Sequence, residues 1–159
     1  MNSRPSEPRV GVGALVIESG KILLVKRKYP PSRGKWSIPG GHVELGESIL
    51  ETARRELKEE TGVEAIPLGV VNVDDYIAYD ERGIRYHYVL ITVLLKSLTY
   101  DVDPGSDALD AGFFTLEEAE SLDLTVSTRG LLKKLRERVV DPEGKILKVN
   151  TYRVECLEN

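Results

Sequence analysis

Three glutamates, Glu56, Glu59 and Glu60, stand at helical spacing in the segment RRELKEETGV, just after Arg54 and Arg55. At about 100° per residue they fall on one side of a helix. Such i,i+3 and i,i+4 like-charge pairs each cost about 0.2–0.5 kcal/mol on an exposed helix, and partial burial raises that cost. The glutamates also lie in the C-terminal half of the helix, where the macrodipole disfavours negative charge. A hard divalent cation such as Mg²⁺ would relieve all of this, because it takes carboxylate and carbonyl oxygens and keeps several waters. Arg55 is spaced to reach Glu51 and Glu59, four residues to either side, and to hold the cluster in shape. Ahead of the helix, Gly40, Gly41 and Gly46 allow a backbone to pass close to an ion or phosphate, and a free carbonyl there would be a further ligand. The plainer reading is a solvated helix whose acids are diluted by Arg54, Arg55 and Lys58. It leaves unexplained why a local rule is broken so consistently in one short stretch.

The helix that must carry these groups has legible ends. Ser48 and Glu51 match a capping box, and Thr61-Gly62 supplies the stop. Ile49, Leu50, Ala53 and Leu57 make one apolar stripe that faces a sheet. Around this helix, Val10 to Ile17 and Lys21 to Lys26 read as two strands joined by Glu18-Ser19-Gly20. A loop from Tyr29 to Gly34 and a short segment around Trp36 and Ile38 follow. Two longer strands, Pro67 to Tyr79 and Ile84 to Lys96, flank Asp80-Glu81-Arg82-Gly83, and the run Tyr88 to Leu95 is apolar enough for a central strand. Residues 98–110 read as an acidic loop, Ala111 to Phe114 as a short strand, and Leu116 to Ser121 as a small helix. A longer helix, Ser127 to Val139, carries Leu131, Leu132 and Leu135 on one face. Lys145 to Leu157 reads as a strand-like tail. Strands before, between and after helices predict an α/β (α+β) fold, a mixed sheet covered by helices. The expected organisation is one domain over 1–159, with a polar lead-in at 1–7 and an extension at 139–159.

Composition narrows the class. The chain has 159 residues, 41% hydrophobic and 30% charged, as in globular proteins. A net charge of −4 argues against a broad face for duplex nucleic acid. No apolar run approaches the ~20 residues that span a bilayer. Cys156 is the only cysteine, which excludes an internal disulfide framework and fits a reducing, cytoplasmic setting.

Gly41, five residues, Glu47, seven residues, then Arg55-Glu56-Leu57-Lys58-Glu59-Glu60-Thr61-Gly62-Val63 resembles a complete Nudix box, GX5EX7REUXEEXGU. Every fixed position is filled, and the order of elements over about residues 8–138 is similar to that of the MutT-like Nudix hydrolase family. The resemblance implies an α/β/α sandwich and a Mg²⁺- or Mn²⁺-dependent enzyme that hydrolyses a nucleoside diphosphate linked to another moiety. It implies Glu56, Glu59, Glu60 and the Gly40 carbonyl as metal ligands. Glu56 would also orient or deprotonate the water, Arg55 would position Glu56, and Glu47 would tie the loop to the helix. Gly41 and Gly62 would be structural members of the motif. In several Nudix subfamilies a later acid takes part. Asp107 is the first choice here, ahead of Asp110.

Substrate contacts admit two readings each. Arg27 and Lys35 flank the glycine loop and would neutralise phosphates, or else sit at a solvated strand end. Phe113 lies where related enzymes often carry a base-stacking aromatic, or else is core, and Trp36 stacks on a base or anchors packing. Tyr76, Tyr79, Tyr86 and Tyr88 would line a nucleobase pocket, although strand alternation sends some inward. PPSRGKWSIPGGHVELGE, HYVLITVLL and SDALDAGFF together resemble a short ADP-ribose pyrophosphatase-like subgroup. Ala78 departs from the proline that often marks ADP-ribose enzymes, and Tyr79 resembles a mark of diadenosine polyphosphate hydrolases. A house-cleaning nucleoside triphosphatase is a further option. A non-catalytic Nudix-like binding module would usually lack one of the box acids, and here all are present. The partner expected is a small nucleotide, and the tail strand would pair either across a homodimer or against its own sheet edge.

Overall fold

The computed structural model describes residues 4–30, 32–138, 140 and 143–144. Strand β1 (Arg9–Glu18) turns through Ser19 and Gly20, both at positive φ, into β2 (Lys21–Arg27). The two strands pair only beside that turn, at Ile17 with Ile22 and Glu18 with Lys21, and then part company. β1 continues into one arm of the sheet, antiparallel to β4 (Gly40–His42) and parallel to β6 (Gly83–Ser97). β6 is central in that arm and pairs on its far side with β5 (Ala65–Asp80). β2 continues into the other arm, between β3 (Trp36–Ser37) and β7 (Ala108–Thr115). Among the described residues the result is a seven-stranded mixed sheet.

Helix α1 (Ile49–Thr61) packs on one face. Its Ala53 and Leu57 are fully buried against Val12, Leu23, Val70 and Val93, with Ile49 and Leu50 closing over them. Helices α2 (Leu116–Glu120) and α3 (Val126–Arg136) cover the other face, where Leu131 and Leu132 meet Leu15, Leu24 and Leu94. This is the mixed sheet covered by helices that the order of elements predicts, in the α/β/α layering that the family resemblance implies. Trp36 and Phe114 meet edge to face at 5.1 Å within the second core, so Trp36 anchors packing.

Three features differ from the sequence reading. β7 begins at Ala108, because pairing with β2 extends it three residues into the stretch read as acidic loop; Asp110 lies opposite Lys26. The lead-in is fastened at Arg4, whose guanidinium bonds Asp80 at 2.7 Å and the carbonyls of Gly83 and Ile84 at the β5–β6 hairpin tip. Helix α3 spans Val126 to Arg136, ending three residues short of the expected Val139. The tail from Lys145 to Leu157, Cys156 included, lies outside the described residues. Among the described residues, no helix is long and apolar enough to cross a membrane.

Candidate active site

Both ends of α1 are fixed by the local chemistry that its sequence specifies. Ser48 accepts from the Glu51 N–H while Glu51 accepts from that of Ser48, and Gly62 ends the helix at φ 73°. Burial of the apolar stripe then turns Glu56, Glu59 and Glu60 toward the strand β4 side. Arg55 organises them. Its Nε and Nη2 fork onto Glu47 at 2.6 and 3.0 Å, and its Nη1 bonds Glu56 at 2.8 Å and Glu59 at 3.2 Å. Nη2 also donates to the His42 carbonyl at 3.2 Å, so one guanidinium joins the loop, the strand and the helix. The Arg55 fork, with help from Thr52 and the Glu44 N–H, pulls the Glu47 carboxyl down to about 2. Such bidentate pairing suits arginine and not lysine.

Two further, partly buried acids are held at an electrostatic cost. Glu60 accepts from the Gly40 N–H at 2.7 Å. Its burial, reinforced by the charges of Glu56 and Asp107 and opposed by that N–H and by Arg27, pushes its carboxyl up to about 8. Burial likewise raises Glu56, despite Arg55 beside it. Glu59 is half exposed. Gly41 is glycine for a steric reason: a Cβ there would lie 2.3 Å from Oε1 of Glu56. The close approach of strand to carboxylate depends on that missing atom.

Among the described residues, no three acidic, histidine or cysteine side chains already converge as a metal cage. Arg55 stands between Glu56 and Glu59, and Glu60 is drawn onto Gly40. The donor set nevertheless suits a hard divalent ion. It offers several carboxylate oxygens on one helix face beside a glycine strand, and burial disfavours the charged form of two of those carboxyls, which a cation would offset. Mg²⁺ needs only one or two carboxylates beside its waters and a phosphate.

A cavity of about 370 Å³ opens on the far side of β4. Gly40, Gly41, His42 and Arg27 line one wall, Tyr76, Tyr86 and Tyr88 another, and Thr125 to Thr128 at the start of α3 a third. The aromatic wall is a ladder. His42 stacks on Tyr88 with centroids 5.3 Å apart, and Tyr86 lies nearly parallel to Tyr88 at 6.3 Å. Burial and the charges of Arg9 and Arg27 lower the His42 pKa, so its ring is neutral at pH 7.

The fold brings Arg55, Glu56, Glu59, Glu60, Glu47, Gly40 and Gly41 together, with Arg27 and Asp107 close enough to alter the charge on Glu60. Three sequence-level candidates are placed elsewhere. Lys35 faces Asp123 at 3.8 Å, Tyr79 is exposed near the hairpin tip, and Phe113 packs on the first core. None of the three lines the cavity. Neither His42 nor the Thr125 to Thr128 stretch stands out in the sequence as a site candidate; the one local signal is the threonine N-cap at the start of α3. Asp110 bonds the adjacent Ala111 N–H on its own strand.

A cluster of helical glutamates locked by one arginine to a glycine strand, on an α/β/α sandwich, defines a class that comparison with known proteins identifies. The NUDIX domain model matches residues 7–135, and the chain belongs to the Nudix hydrolase family. It is 39% identical over 120 residues to an ADP-ribose pyrophosphatase of Methanocaldococcus jannaschii, covering 72% of this chain. It is 28% identical over 140 residues to a putative ADP-ribose pyrophosphatase, YjhB, of Bacillus subtilis, covering 88% of this chain. In each case the match spans 66% of the relative's length. A crystal structure of a MutT NUDIX hydrolase from Burkholderia pseudomallei superposes with a TM-score of 0.73 at 31% identity, covering 82% of this chain and 99% of that one.

Proposed function

We propose that this chain is a divalent-metal-dependent pyrophosphohydrolase that cleaves ADP-ribose to AMP and ribose 5-phosphate. The observation that carries the reading is the complete set of Arg55, Glu56, Glu59 and Glu60 on one turn-and-a-half of α1, against the Gly40–Gly41 strand and beside an aromatic cavity. Glu56, Glu59, Glu60 and the Gly40 carbonyl would hold Mg²⁺ or Mn²⁺. When bound, the ion supplies positive charge to the pyrophosphate oxygens, where negative charge develops during cleavage.

The chain's own groups divide the remaining work. Arg55 fixes the Glu56 carboxylate through its Nη1 bond while Glu47 holds the guanidinium from behind. Asp107, whose charge acts on Glu60, would orient or deprotonate the attacking water. Arg27, on the cavity wall, would face the phosphates. The ladder of His42, Tyr88 and Tyr86 offers a flat apolar surface to an adenine ring, and the neutral His42 ring does not add a cation there.

The choice of substrate follows from charge. Among the described residues that line the cavity Arg27 is the only Lys or Arg, and Lys35 faces Asp123 instead. That suits a diphosphate bridge better than a triphosphate. The exposed position of Tyr79, outside the cavity, gives no support to a diadenosine polyphosphate. The likeness to ADP-ribose pyrophosphatases points the same way. The test is a substrate panel with Mg²⁺ and with Mn²⁺, products identified by chromatography. ADP-ribose is expected to have the highest kcat/KM, the ratio that measures differential transition-state binding. Preference for diadenosine tetraphosphate or for a nucleoside triphosphate would overturn this choice.

A further inference from the structure

The acidic loop between β6 and β7 is docked on the catalytic helix by its backbone. The Asp103 N–H donates to the Thr61 carbonyl and the Gly105 N–H to the Glu60 carbonyl, each at 2.9 Å. These are among the last carbonyls of α1, which have no partner within the helix. Upstream, Val102 packs on the first core. Downstream, the Ala108 N–H bonds the Gly105 carbonyl at 3.2 Å as β7 begins. On the opposite side, the Lys28 ammonium donates to the Ser106 carbonyl at 3.1 Å, tying the loop to the end of β2. Asp107 is thus bracketed between fixed points.

Gly105 makes the helix contact possible. A Cβ on it would sit 1.9 Å from the carbonyl oxygen of Glu59 and 3.3 Å from Cα of Glu60. Both are backbone atoms of the catalytic helix, so no side-chain rotation relieves the overlap. No turn demands a glycine here, since Gly105 is not among the residues at positive φ. The close approach itself demands it.

We propose that Gly105 and Lys28 are positioning residues that hold the loop carrying Asp107 at the C-terminal end of α1, Gly105 by seating the loop on the helix and Lys28 by bracing it from the end of β2. This rests on the hydrolase reading given above, in which Asp107 serves the attacking water. Gly105 acts by permitting a backbone hydrogen bond and Lys28 by donating one; neither touches the reacting atoms.

The experiment is a set of double-mutant cycles through Asp107. Gly105→Ala is expected to lower kcat roughly 10- to 100-fold, the scale of an ångström-sized misplacement, with KM within about twofold. In the Asp107→Asn background the same substitution should change kcat by less than about twofold, because its target is already gone. Lys28→Met should repeat the pattern more mildly, and Lys28→Arg, which keeps the donor, should recover most of the rate. Multiplicative losses in the double variants, or loss of KM alone, would overturn the proposal. If Gly105→Ala does not fold, the Lys28 pair decides by itself. A wild-type chain that cleaves no pyrophosphate would defeat the hydrolase reading. The positioning claim is then judged from amide hydrogen exchange by NMR. Slow exchange at Asp103 and Gly105, lost together with a shift of the Asp107 resonances in Gly105→Ala, supports it. Unchanged exchange and shifts in that variant overturn it.

Discussion

Replacing Glu60 by glutamine removes the charge that burial makes most costly, and the fold allows the consequence to be worked out. In the chain without a cation, burial, with Glu56 and Asp107 nearby, raises this carboxyl from 4.5 to about 8. The native protein therefore keeps a proton that the unfolded chain releases above pH 4.5. Stability from this group is fully present below pH 4.5, falls as pH rises, and is lost by pH 8. At about 1.4 kcal/mol per unit, the loss is about 3 kcal/mol at pH 7 and levels off near about 5 kcal/mol above pH 8. Glu56, raised in the same direction, adds to the trend. Glutamine does not titrate, yet it keeps an acceptor for the Gly40 N–H. Urea unfolding in the presence of a chelator, at pH values from about 5 to 8, should therefore show the variant gaining on wild type as pH rises. Saturating Mg²⁺ should restore the wild type near pH 8 and do much less for the variant, whose turnover should be nearly abolished. A stability difference that stays flat with pH would refute the reasoning. So would a variant several kcal/mol less stable at pH 7, which would mean that ionised Glu60 has a cationic partner within the fold.

Gly41→Ala should push the Glu56 carboxylate aside, lowering kcat by roughly 10- to 100-fold while costing less than about 2 kcal/mol of stability, because the displaced group is the end of a flexible side chain. Thermal unfolding beside steady-state kinetics checks the separation. Arg55→Lys keeps the charge but cannot fork onto Glu47 and still reach Glu56, so activity should fall by roughly 100-fold despite the conservative change. Near-normal turnover would show that charge alone suffices there. Asp107→Asn should lower kcat more than it raises KM, whereas Asp110→Asn, on a paired strand with its carboxylate on the Ala111 N–H, should be mild. The reverse ranking in initial-rate measurements would move the role to Asp110.

Much of the catalytic helix was legible in the sequence because its determinants are local. The capping box of Ser48 and Glu51, the Gly62 stop, the stripe of Ala53 and Leu57 and the acidic face of Glu56, Glu59 and Glu60 all follow from 3.6-residue periodicity. The glycine strand and the tie from Glu47 to Arg55 lie within the same short motif. What lines the cavity was not legible in this way. Alternation divides Tyr76, Tyr79, Tyr86 and Tyr88 between faces, but which face is covered depends on the pairing of β5, β6 and β1 and on where α3 begins. Pairing of β5 with β6 left Tyr79 exposed, while pairing of β7 with β2 set Phe113 against the first core and drew Asp110 into the strand. Gly105 is the sharpest case. In the sequence it is one more glycine in a polar loop, and only the meeting of that loop with the end of α1, more than forty residues earlier, makes a single Cβ intolerable. Local chemistry set which groups could bind a cation, whereas contacts between distant segments decided what else stands beside them.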